Sequence, residues 1–246
     1  METTLAPANP QRVSDVRFAG SRAISADALR DAVARMVVGN RYSEREFRQV
    51  LDLNVRPLYE ERGYLQVEFP AIRLIPAGAD LVLNVPVVEG TVWTLGMIEL
   101  AGEGLPADDM RKAAALWDVH IANWKLILEG IGRMEKVLKR QGYLGVTSRP
   151  VRRFRDDGHT VDLRIEIAKG KQFVLGSLLI AGLSARDRER AEKLFRIKPG
   201  EPIDQPYLED YVKQCLDFLG NSVKGFDSKM RLRGESGLVD LTLTFK

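Results

Sequence analysis

The chain repeats itself three times, and a repeat of this length fixes most of what it can become. Phe18-Ala19-Gly20, Leu100-Ala101-Gly102 and Ile180-Ala181-Gly182 recur at spacings of 82 and 80 residues. Gly63-Tyr64-Leu65 and Gly142-Tyr143-Leu144 recur at 79, and Glu89-Gly90 and Lys169-Gly170 at 80. Three independent markers therefore agree on a period near 80. They place the units at 12–90, 91–170 and 171–246, after a linker or tail, 1–11, that holds two prolines.

Each unit reads as strand, helix, helix, strand, strand. A short apolar strand comes first: Val13–Phe18, Met97–Leu100 and Val174–Ile180. Ser25 then suits the N-cap of a helix over Ala26–Val38, and Ser184-Ala-Arg-Asp187 opens the matching helix of the third unit. Second helices follow from helical spacing: Phe47, Val50, Leu51, Val55 and Leu58 after the capping box Ser43-Glu-Arg-Glu46; Leu126, Ile127, Ile131, Met134 and Leu138; and Leu208, Tyr211, Cys215 and Leu219 after Asp204. A hairpin ends each unit, with turns at Pro76–Asp80, Asp156–His159 and Gly234–Gly237. Its last strand is the plainest signal in the chain. Val161, Leu163, Ile165 and Ile167 alternate with polar residues, as do Val239, Leu241, Leu243 and Phe245. Pro86 predicts a bulge or a strand end in the first unit. The fold class is α+β: three tandem β-α-α-β-β domains, each a three-stranded sheet covered by two helices.

Composition narrows function by exclusion. The charge of +3 is spread evenly, at −1, +2 and +2 over residues 1–90, 91–170 and 171–246, so there is no electrostatic footprint for nucleic acid. The longest apolar runs fall well short of the roughly 18 residues a membrane helix needs. Met1–Pro10 lacks the charged and apolar regions of a signal peptide. With Cys215 and two histidines, His120 and His159, a His/Cys zinc site is not expected. Cys215 sits on the helical row with Tyr211 and Leu219, which reads as a core thiol rather than a nucleophile. Gly142-Tyr-Leu-Gly145 matches a Gly-x-x-Gly loop, but unit one has Gln66 in the fourth place. No Walker A sequence occurs, and no paired acid and base emerge. No catalysis, cofactor or metal is expected.

In their order along the chain, these motifs resemble those of the POTRA domain. Glu89-Gly90, Gly96-Met97-Ile98 and Ala101-Gly102 are similar to its opening, as are Lys169-Gly170, Gly176-Ser177-Leu178 and Ala181-Gly182. Gly63-Tyr64 and Gly142-Tyr143 resemble the end of its second helix; Gly39–Ser43 and Pro199–Asp204 resemble its inter-helix turn. Unit two departs at Val119-His120, and unit three lacks Gly-Tyr. The resemblance implies the periplasmic arm of an Omp85-superfamily outer-membrane protein of the BamA and TamA type. Its signal peptide and barrel would lie outside this chain. Implied partners are unfolded outer-membrane β-barrel proteins and accessory lipoproteins or subunits. Two other readings stand beside it: the arm of a two-partner secretion transporter with one dedicated substrate, and a barrel-free envelope scaffold.

A three-stranded sheet has two open edges, and an incoming chain can pair with unpaired backbone there. The family's sheet order puts the second strand at an edge: Leu65–Ile75, Leu144–Phe154 and Gly225–Arg233. Candidate contact residues are Leu65, Val67, Phe69, Leu144, Val146, Arg152, Phe226 and Met230. Arg149, Arg152, Arg153 and Arg155 suggest charge protection of the middle edge, or a contact for an anionic surface. Glu89-Gly90 and Lys169-Gly170 join the units without a spacer, so a bent, semi-rigid arm with hinges at these residues is predicted. Trp93, Trp117 and Trp124 all fall in unit two, where core filling is the default.

Overall fold

The alternation read in the closing strands is the alternation seen. Val161, Leu163, Ile165 and Ile167 are buried, as are Val239, Leu241, Leu243 and Phe245, while their polar neighbours keep access to solvent. Each such buried aliphatic contributes about 1.5–3 kcal/mol relative to exposure. The structure, a computed structural model, describes residues 12–233 and 237–246. The leading segment 1–11 and most of the turn expected at Gly234–Gly237 lie outside the described residues.

The first repeat contains β1 (Val13–Ala19), α1 (Ala26–Val37), α2 (Glu44–Val50), α3 (Arg56–Glu60), β2 (Arg73–Ala77) and β3 (Asp80–Pro86). The second contains β4 (Thr94–Ala101), α4 (Ala107–Ala114), α5 (Trp124–Arg140), β5 (Thr147–Arg155) and β6 (Thr160–Ala168). The third contains β7 (Val174–Ala181), α6 (Ala185–Leu194), α7 (Gln205–Leu219), β8 (Phe226–Arg233) and β9 (Leu238–Phe245). The sheet orders are β1-β3-β2, β4-β6-β5 and β7-β9-β8. In the first and third sheets the central strand runs parallel to the opening strand and antiparallel to the second. Pro86 ends β3, where its missing N–H costs no ladder bond further along.

By backbone proximity the chain divides into two compact units. One runs up to Met97 and adds Asp118–Leu128 and Arg152–Leu163; the other holds Ile98–Trp117, Glu129–Val151 and Arg164–Lys246. Each carries one whole repeat and part of the middle one.

Helix starts follow the capping chemistry. Ser25, Ser43, Ser184 and Asp204 each accept a hydrogen bond from the amide three residues on. Asn123 does the same for Leu126 at 3.0 Å. Between α2 and α3 the helix widens into one π turn, Leu51–Val55, immediately ahead of Pro57. Pro57 cannot donate to the carbonyl four residues back, and Arg56 donates to Leu51, five back, so the widened turn absorbs the mismatch. Leu126 departs from the predicted stripe: it is exposed, with Ile127 taking the buried position.

Candidate functional site

The second strand of every sheet is an edge strand, because the third strand runs between the other two. What occupies the three edges differs. In the first repeat the edge is shorter than expected: β2 covers Arg73–Ala77, and Leu65, Val67 and Phe69 lie ahead of it, buried in the core. Two helix arginines occupy carbonyls of this segment. Arg56 Nη1 donates to the Val67 carbonyl at 2.7 Å, and Arg48 Nη1 to that of Phe69 at 3.3 Å. Glu68 exchanges two backbone bonds with Val88, at 2.9 and 3.0 Å. Pro70 then has no N–H to offer. The backbone of this segment is already engaged, and β2 itself contains Pro76.

In the second repeat β5 begins at Thr147, so Leu144 and the buried Val146 precede it rather than belong to it. Arg149 pairs with Glu166 at 2.5 Å and Arg155 with Asp162 at 3.0 Å. Arg152 reaches Glu60, on α3 of the first repeat, at 3.1 Å, and its guanidinium lies 3.4 Å from the centre of the Trp124 ring. Their side chains are 23% and 13% exposed, the lowest pair of values among the described ion pairs. Pro150 removes one N–H from the strand. Three of the four arginines of the basic cluster are thus matched by carboxylates.

The third edge is different. β8 spans eight residues, matches the expected Gly225–Arg233 closely and holds no proline. Phe226, Ser228 and Met230 face the helical side. With Leu208 and Val212 of α7 they line a groove of about 600 Å³, and Leu144 lines it too. Leu144, Phe226 and Met230, separate in sequence, are brought together here. Along β8 the alternate residues Asp227, Lys229 and Arg231 sit opposite Thr244, Thr242 and Asp240 on the other face. The α7 wall was legible as a helical stripe, but its role beside β8 follows from the tertiary packing.

No protein-family model and no curated protein matches this chain. Among solved structures, it is similar to POTRA domains 3–5 of Haemophilus influenzae BamA, with a TM-score of 0.66 and 17% identity over 99% of this chain and all of that one. The fold is that of three tandem POTRA domains. It is also similar to Haemophilus ducreyi BamA lacking POTRA domains 1–3, with a TM-score of 0.48, 12% identity, and coverage of 63% of this chain and 29% of that one. A third similar structure is the N-terminal domain of Omp85 from Thermosynechococcus elongatus, with a TM-score of 0.35, 14% identity and 96% of both chains covered.

Both POTRA junctions are built from the same backbone bonds. Trp93 donates to the Gly63 carbonyl at 2.9 Å and accepts from the Ala122 amide at 2.9 Å. Phe173 donates to the Gly142 carbonyl at 2.8 Å and accepts from Ile203 at 2.9 Å. Gly90 and Gly170 adopt left-handed φ of +72° and +70°. The residues before them are tied to the loop after the first strand of their own repeat. Glu89 accepts from the amides of Arg22 and Ala23, both at 2.8 Å, and Lys169 donates to the Gly104 carbonyl at 3.0 Å.

Cys215 and the tryptophans of the second repeat have structural places. Cys215 is fully buried, and burial pushes its thiol above the usual range. Trp93 is buried, with its ring centre 4.7 Å from that of Phe154 and 5.7 Å from that of His159, whereas Trp117 is exposed. Among the described residues, no helix is long and apolar enough to cross a membrane.

Proposed function

We propose that this chain is the periplasmic POTRA arm of an outer-membrane protein-assembly factor. It binds extended segments of unfolded β-barrel proteins, without catalysis, by adding them as a fourth strand beside β8. The observation that carries this reading is the proline-free β8 edge with an apolar groove alongside it. Main-chain pairing would supply affinity with little regard to sequence, and the groove would take every second side chain of the guest. The first two edges are poorer hosts. Their strands contain Pro76 and Pro150, and β5 carries Arg152 tied to Glu60.

The test is amide chemical-shift mapping of the 246-residue chain with a peptide copied from a transmembrane β-strand. Perturbations running along Phe226–Arg233 are expected. Perturbations confined to helices, or to β2 and β5, would overturn the assignment.

A further inference from the structure

We propose that the β8 edge selects its guest by charge, preferring strands that alternate apolar with acidic side chains. The inference rests on the strand-addition reading and adds a specificity rule to it. A strand laid beside β8 sends alternate side chains to the two faces of the sheet. Those on the helical side meet Phe226, Met230 and the groove. Those on the other side lie next to Asp227, Lys229, Arg231 and Arg233.

The charges of that row do not cancel among the described residues. Asp227 is matched by Lys246 at 3.8 Å, and Asp240, on the neighbouring β9, by Arg233 at 2.6 Å. Arg231 also stands opposite Asp240 and shares that carboxylate with Arg233, so four cations, Lys229, Arg231, Arg233 and Lys246, meet two carboxylates; Lys229 and Arg231 are both exposed and two residues apart on one face. That spacing is the spacing of the polar positions of an amphipathic strand. Directly opposed side chains of opposite charge stabilise a strand pair, and like charges destabilise it.

The same row argues for the occupant. A second copy pairing β8 antiparallel with β8 about Met230 would set Lys229 against Arg231 twice, and those like charges oppose self-association. A strand with acidic polar positions meets the groove with its apolar side and the cations with the other.

The experiment uses the 246-residue chain and two ten-residue peptides with identical apolar positions. One carries glutamate at its polar positions, the other lysine. Fluorescence anisotropy at low salt should favour the acidic peptide by about tenfold, from two opposed pairs. The double variant Lys229→Glu, Arg231→Glu should reverse that preference, while its circular dichroism stays that of the parent chain. A preference that survives the reversal, or equal affinity for both peptides with shifts along β8, overturns the charge rule and leaves strand addition standing. Absence of any perturbation along β8 overturns both. Concentration-dependent dimers in sedimentation, lost on peptide addition, would instead assign the edge to a second copy.

Discussion

A β-carbon on Gly182 would collide with the carbonyl of Phe245. The same approach recurs one repeat earlier and two repeats earlier: the Cβ of an alanine at Gly102 would stand 2.5 Å from the Ile167 carbonyl oxygen, and at Gly20 2.7 Å from that of Val87. The Ala-Gly pair that marks the period is therefore a packing requirement. The chain leaving the first strand passes directly over the end of the third.

Gly182→Ala should destabilise the third domain by about 2 kcal/mol, since it combines the collision with a φ of +83°. Gly102 is not in the left-handed region, so Gly102→Ala isolates the steric part. Urea unfolding followed by circular dichroism measures both; an unchanged midpoint in either would remove the packing explanation there.

Removing Glu60 leaves the half-buried Arg152 without its carboxylate. Glu60→Ala should cost about 1–3 kcal/mol, more than the loss of an exposed pair such as Lys193–Glu189. A double-mutant cycle between Arg152→Ala and Trp124→Leu should return a coupling on the order of 1 kcal/mol, from the guanidinium over the ring. Strict additivity would show that the stacking contributes nothing.

Asp240 predicts an acid limb of stability. Hydrogen bonds from Arg233, with a further one from Ser177, hold its carboxyl below the ordinary value of 3.8. A depressed folded value means that the stabilisation is fully present above the unfolded value and is lost as pH falls through the folded one. Asp240→Asn should therefore be less stable than the parent at about pH 6, with the two curves converging below the ordinary carboxylate range. Parallel curves down to the acid transition would refute the linkage.

Cys215 should be silent in the native state. Its thiol is buried beside Tyr211, whose hydroxyl donates to the Ala191 carbonyl at 2.9 Å. Modification by an aromatic disulfide reagent should run at least about a hundredfold slower than in denaturant. Comparable rates would mean that the third domain opens readily.

The period, the helix caps and the closing strands were legible because each is written in local chemistry. Ser43 and Asp204 announce helices by hydrogen bonding to their own neighbours, and the alternation of Val239–Phe245 needs no partner to be read. The first edge was misread for a reason outside its own sequence. Leu65, Val67 and Phe69 alternate like a strand, but Arg48 and Arg56, on the preceding helix, take the carbonyls a strand would use. Leu126 and Ile127 adjoin on one helix, and packing alone decides which is buried. The convergence of Leu144 on Phe226 and Met230 joins residues about 80 positions apart, a distance over which side-chain pattern carries no register.

The bonds at the two junctions have an evolutionary consequence. They are made by amides and carbonyls, with Trp93 in one place and Phe173 in the other, so the connection does not depend on a matched pair of side chains. A gene segment encoding one domain could be duplicated in tandem and find its socket already present in the copy before it. Side chains at each joint would then be free to diverge, which is how three domains can share one connection while having so few identical residues.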